Sequence, residues 1–217
     1  MELTSFTPST ALITVIALAL APFVAVMATS FTKIVVVLSL LRNALGTQQI
    51  PPNVVLNGLA MILTIYVMYP VGLKMSDSVA DIENIGSDTE SLMIAANVAK
   101  EPLRDFLVKH SDETDRQYFL STIHRMIDEE DKSSINATDF VILIPAFTLN
   151  ELTSAFQIGF MIFLPFIIID LVISNILMAL GMMMLSPTVV SLPFKLLLFV
   201  IIEGWAKLLQ GLVTSYV

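Results

Sequence analysis

The chain has 217 residues, 56% hydrophobic and only 14% charged, whereas about a quarter of the residues in an ordinary soluble domain carry charge. That composition excludes a soluble globular fold, the absence of cysteine excludes disulfides, thiolate sites and cysteine nucleophiles, and two histidines, His110 and His124, without His or Cys companions leave no metal-binding pattern. The net charge of −8 is concentrated in residues 74–139, which hold 15 acidic and 7 basic side chains against four of each sign elsewhere, so the chain lacks the basic stripe of a nucleic-acid binder.

No charge occurs between Leu3 and Thr32. As one helix this stretch would measure about 45 Å, longer than a hydrocarbon core of about 30 Å, so it must kink at Pro22 or run beyond lipid. A cleaved secretory signal fits poorly, because Met1-Glu2 stands where a basic region belongs, and the segment is expected to be retained. Lys33 and Arg42 lie nine residues apart, on one helix face, and read as a solvated or headgroup-facing edge. The stretch from Arg42 to Asn53, with its Pro51-Pro52-Asn53 turn, is a short positive loop, which places it in the cytoplasm and the acidic middle in the periplasm. Val54 to Leu73 has the length of one membrane span.

The acidic middle reads as a small helical domain. Ser87 to Glu90 and Thr114 to Gln117 have capping-box spacing before apolar residues at helical periods, and Pro102 is expected to separate two helices. From Leu152 the chain is apolar to its end and reads as a helical hairpin. Its arms are expected at about Glu151 to Leu180 and Phe194 to Thr214, with an irregular tip from Gly181 to Pro193. The expected fold is therefore all-α: membrane-associated helical hairpins (1–73 and 140–217) with a small helical periplasmic domain (74–139) inserted between them.

The tip is apolar yet conformationally broken, and lipid cannot satisfy its free backbone groups, so it should face protein or a lumen. Met182, Met183 and Met184 suit a deformable seal, since unbranched thioethers repack around differing shapes; they equally suit an irregular core. The embedded charges Glu151, Asp170 and Lys195 need partners, because an ionisable group at the bilayer centre costs about 2.5–3.5 kcal/mol. Glu151 and Lys195 are the first candidate pair, within or between subunits; each sitting at an interface and reaching water is the other reading. No nucleophile with a base, phosphate-cradling loop or dinucleotide fingerprint is present, and Asp170 lacks the second carboxylate of an aspartyl protease. These residues describe neither an enzyme nor a cofactor site. An ion-coupled transporter or channel using Glu151, Asp170 and Lys195 is the alternative class, although only the C-terminal half has broken helices.

Four blocks together resemble the SctR/FliP family of type III secretion export-gate proteins: ATSFTKIVVVLSLLRNALGTQQIPPN (Ala28 to Asn53), LIPAFTLNELTSAFQIGF (Leu143 to Phe160), LPFIIIDLVISNILMALGMMMLSP (Leu164 to Pro187) and SLPFKLLLFVIIEGW (Ser191 to Trp205). The resemblance implies a non-enzymatic subunit of the bacterial inner membrane that forms a ring of five. It would assemble with SctS/FliQ-like and SctT/FliR-like subunits and work with SctU/FlhB-like and SctV/FlhA-like export proteins. The assembled gate would extend to the periplasmic side of the membrane and pass unfolded proteins. It implies that Met182, Met183 and Met184 form a pore gasket and that Glu151 and Lys195 match a charged pair of the family. It also implies that apolar runs read as membrane spans can be buried in protein. The QQIPPN wording is similar to the injectisome branch more than to the flagellar one.

Overall fold

The computed structural model describes residues 8–47, 49–80, 89–182 and 184–217. Among these the fold is all-α, without strands: α1 (Pro8–Met27), α2 (Phe31–Leu45), α3 (Asn53–Ala80), α4 (Thr89–Lys109), α5 (Glu113–Ile123), α6 (Phe140–Ala179), α7 (Pro187–Ile201) and α8 (Gly204–Thr214), with a single 3₁₀ turn at Lys132–Ser134. The helices α3 and α6 are each long and apolar enough to cross a membrane, and up to four crossings result if the pairs α1–α2 and α7–α8 each count as one bent span.

The chain divides into two compact units that do not follow the order of the sequence: residues up to Ser30 with Met68–Glu151, and Phe31–Val67 with Leu152–Val217. In the first unit, Phe106 and Leu107 of α4 are buried with Ile142, Leu143, Ala146 and Phe147 of α6, and the rings of Phe106 and Phe147 lie 5.7 Å apart. Thr148 donates to the carbonyl of Met27 (3.1 Å) and Asn150 to that of His110 (2.8 Å), which ties the ends of α1 and α4 to α6.

In the second unit α2 is the central helix. Ile34, Val37 and Leu38 are fully buried against Leu56 and Ala60 of α3, Ala155 of α6 and Leu212 of α8. One turn further, Leu41, Ala44 and Leu45 pack with Phe166 of α6 and Phe199 of α7. The helices α2 and α6 approach closely at Gly159, where a Cβ would lie 2.2 Å from Leu40 Cδ1. The buried residues Ile34, Val37, Leu38, Leu41 and Leu45 recur at helical spacing on one face of α2, while Val35, Val36 and Leu40 on the other are partly buried.

Several local expectations are corrected. The first break falls at Ala28–Ser30, not at Pro22, which α1 accommodates. Likewise α4 passes through Pro102; a proline removes one helical hydrogen bond, which twenty other residues of helix absorb here. The cap of α5 is Asp112, whose carboxylate accepts from Thr114 N at 2.8 Å, two residues before the expected box; Ser87 lies outside the described residues. Helix α3 continues to Ala80, beyond Leu73. Lys33 is not on a solvated edge: it is 6% exposed and its ammonium lies over the ring of Tyr216, 4.1 Å from the centroid, an arrangement favoured by the electron-rich ring face. Arg42 turns to its own loop, donating to Asn53 Oδ1 (2.5 Å) and Pro51 O (3.4 Å). The hairpin tip is shorter than its sequence suggests, since helix resumes at Pro187. Proline at the first helical position has its φ pre-set and no N–H to leave unpaired. The second arm, finally, is two helices, α7 and α8, bent by 60°.

Candidate functional site

The loop joining α6 to α7 starts at a glycine that ends the helix. Gly181 adopts φ +73°; Gly181 N donates to Met178 O (3.0 Å) and Met182 N to Leu177 O (2.9 Å), the paired 5→2 and 6→1 bonds of a Schellman cap. A left-handed residue is needed there, and glycine alone adopts that conformation without steric cost. Beyond the cap, Met182 and residues 184–186 are non-helical, and Met182 is 47% and Met184 100% exposed, with Leu180 and Leu185 also exposed. Met183 lies outside the described residues. At membrane depth, non-helical backbone is tolerated only where it is buried in protein or lines a water-filled cavity, and a large exposed apolar patch marks an interaction surface.

Beneath the tip, three helices meet in a polar node. Lys195 of α7 donates to Asp170 Oδ2 of α6 at 2.7 Å and to the carbonyl of Ala44, at the end of α2, at 3.1 Å. Ser191, one turn earlier on the same face of α7, donates to Asp170 Oδ1 at 2.5 Å and its Oγ lies 3.2 Å from Thr188 O. Thus both oxygens of Asp170 accept, and the lysine bridges a carboxylate and a helix C-terminus, where the negative end of the helix dipole favours a cation. The lysine side chain is 3% exposed and the aspartate 37%. Gly46, with φ +74°, lets the chain turn out of α2 while its Cα stays close to α7; a Cβ there would lie 3.6 Å from Thr188 and 3.9 Å from Lys195 Nζ. An adjoining groove of about 800 Å³ is lined by Gly46, Ile50, Thr188, Leu192, Phe199 and Trp205, among others.

The structure therefore brings together Asp170 and Lys195, with Ser191 and the end of α2, which sequence reasoning had not included. Within the chain it is Asp170, not Glu151, that engages Lys195. Glu151 lies in α6, 1% exposed, and has interactions of its own. The signal for Ser191 was present in the sequence: Ser191 and Lys195 have i, i+4 spacing on an otherwise apolar helix. The described residues contain no group of three His, Asp or Glu side chains arranged to hold a metal.

Residues 12–212 match the model of the FliP family. Among curated proteins, the chain is 50% identical to the Yop proteins translocation protein R of Yersinia pestis over 92% of both chains. It is 48% identical to the hypersensitivity response secretion protein HrcR of Ralstonia nicotianae, over 93% of this chain and 94% of that one. It is 46% identical to the virulence protein YscR of Salmonella typhimurium, over 92% of both.

Proposed function

This chain belongs to the FliP family, whose relatives are named as secretion and translocation proteins, and we propose that it is a core subunit of a type III secretion export gate. In this reading several copies surround a pore, five by resemblance to the family, and unfolded proteins are passed through it. The methionine tips of Met182, Met183 and Met184 meet at the axis as a gasket that closes the pore between substrates.

The observation that carries the reading is the tip itself: an exposed Met-rich loop, capped at Gly181 and fixed at its base by the Asp170–Ser191–Lys195 node. A pore closure needs soft side chains on a base that does not move. Methionine supplies the first, through three rotatable bonds and a polarisable sulfur. The node supplies the second, by joining α2, α6 and α7 at one level. Around a ring, tips that are exposed in one subunit bury one another, which answers the exposure of Met184.

The subunit is proposed to lie in the bacterial inner membrane, with the acidic residues 74–139 forming a periplasmic domain and the gate extending to that side. SctS/FliQ-like and SctT/FliR-like subunits, SctU/FlhB-like and SctV/FlhA-like export proteins and membrane lipid are its proposed partners. Glu151 and Lys195 are proposed to meet between neighbouring subunits. Lys195 has three N–H donors and spends two on Asp170 and Ala44. The role is structural rather than enzymatic. An ion-conducting path through Asp170 has less support, because both carboxylate oxygens are already occupied.

The test replaces Met182, Met183 and Met184 by alanine in cells carrying the whole secretion system. The expected result is normal assembly with raised passage of small solutes across the inner membrane, because shorter side chains leave the axis open. Unchanged permeability in a fully assembled triple variant rejects the gasket.

A further inference from the structure

The arm that carries the tip is bent, and the bend has an unusual construction. Helix α7 ends at Ile201, helix α8 starts at Gly204, and their axes differ by 60°. The turn is made by Ile202 (φ −83°, ψ 6°) and by Glu203 in the left-handed region (φ 53°, ψ 43°). A glutamate is unfavourable there, and its side chain makes no capping hydrogen bond that would compensate. Something else must hold the joint.

That element is the ring of Phe199 lying on the backbone of Gly204. A Cβ at residue 204 would sit 2.2, 2.3 and 2.7 Å from Cε2, Cδ2 and Cζ of Phe199, so no residue with a side chain fits under the ring. The ring cannot easily give way. It is buried, lies 6.4 Å from the ring of Phe166 on α6 and meets Trp205 of α8 edge-on at 5.5 Å. Each half of the arm is fixed separately: α8 through Leu212 and Leu208 against the α2 core, α7 through Lys195 and Ser191 at the node.

We propose that Phe199 and Gly204 are a positioning pair that sets the angle between α7 and α8 and thereby where α7 holds the methionine tip. The inference rests on the reading of the tip as the pore closure. The geometry gives it leverage. Helix α7 has 15 residues and is therefore about 22 Å long, so a change of about 10° at the joint displaces its tip end by about 4 Å. That is on the scale of one methionine side chain, enough to open or jam a seal made of them.

The chain lacks cysteine, so Val189→Cys on α7 and Gln210→Cys on α8, both exposed, provide unique sites for two spin labels. The distance between them is measured by electron double resonance in the detergent-purified assembly, with labelled subunits diluted among unlabelled ones. Gly204→Ala is expected to shift or broaden this distance by about 4 Å. It is expected also to raise solute leak in cells carrying the intact system. Phe199→Val, which removes Cδ2, Cε2 and Cζ together, is expected to restore both in the double variant F199V/G204A. If Gly204→Ala does not accumulate, recovery of the assembly by the double variant supports the pair, and failure to recover overturns it. An unchanged distance in assembled G204A also overturns it. The alanine variant of the methionines separates the two readings. If the distance responds and is rescued but methionine removal causes no leak, the positioning pair stands and the gasket reading falls; if methionine removal leaks but G204A changes nothing, the reverse holds.

Discussion

The polar node makes an asymmetric prediction. Lys195 and Asp170 form one ion pair, yet their side chains are 3% and 37% exposed, so removing one partner is not equivalent to removing the other. Asp170→Ala strands an enclosed ammonium with only the Ala44 carbonyl as acceptor. Breaking a fully buried pair in this way costs about 3–5 kcal/mol, and a charge-assisted hydrogen bond alone about 1.5–3 kcal/mol. Because Asp170 is partly open, about 3 kcal/mol is the expected loss, roughly a hundredfold in the folded-to-unfolded ratio. Lys195→Met replaces the lysine by an apolar chain of similar length and leaves a carboxylate that still accepts from Ser191 and has an open side. About 1–2 kcal/mol is expected there. The double variant D170A/K195M should then be more stable than D170A alone, because no stranded charge remains. Thermal unfolding of the detergent-purified subunit, with the amount recovered from membranes, measures all three. If K195M is the more damaging single change, or the double variant is no better than D170A, the node does not hold Lys195 as described.

Two further perturbations test how the subunit meets its neighbours. Glu151→Gln keeps the shape of a buried side chain and removes its charge; native mass of the purified protein should fall from the ring to smaller species, and an unchanged ring mass rejects a Glu151–Lys195 contact between subunits. Gly58, Gly72 and Gly211 lie in helices with no atom within 4 Å of an added Cβ, so alanine there should stabilise the isolated subunit by about 0.5–1 kcal/mol. Where the same change weakens assembly, another chain packs on that glycine, and a subunit interface is located; stabilisation without any effect on assembly at all three excludes close helix approach at these points.

Much of the fold was legible because its signals are local. Uninterrupted apolar stretches marked α3 and most of α6, which begins at Phe140 rather than near Glu151, and Gly181 marked the start of the broken tip, whose expected end at Pro193 falls instead before Pro187. What sequence reading missed depends on distant parts of the chain. Lys33 looked like a solvated residue because nothing near it in sequence reveals that Tyr216 lies over it. The break at Ile202–Glu203 carries no proline; it exists because Phe199 takes the space a side chain at 204 would need, a fact of packing, not of propensity. Within the chain the partner of Lys195 is Asp170, for a reason that can be worked backwards. A tip drawn from Gly181 to Pro193 leaves Lys195 at the very start of the second arm and gives no measure of its depth. With helix resuming at Pro187, Lys195 lies about 12 Å along α7, and Asp170 lies about 13 Å back from the end of α6 at Ala179. The two are level across the hairpin, whereas Glu151 is about 42 Å back along the same helix. One helix boundary, set by a proline at its first position, thus decides that Asp170 is the acid level with the lysine within the chain.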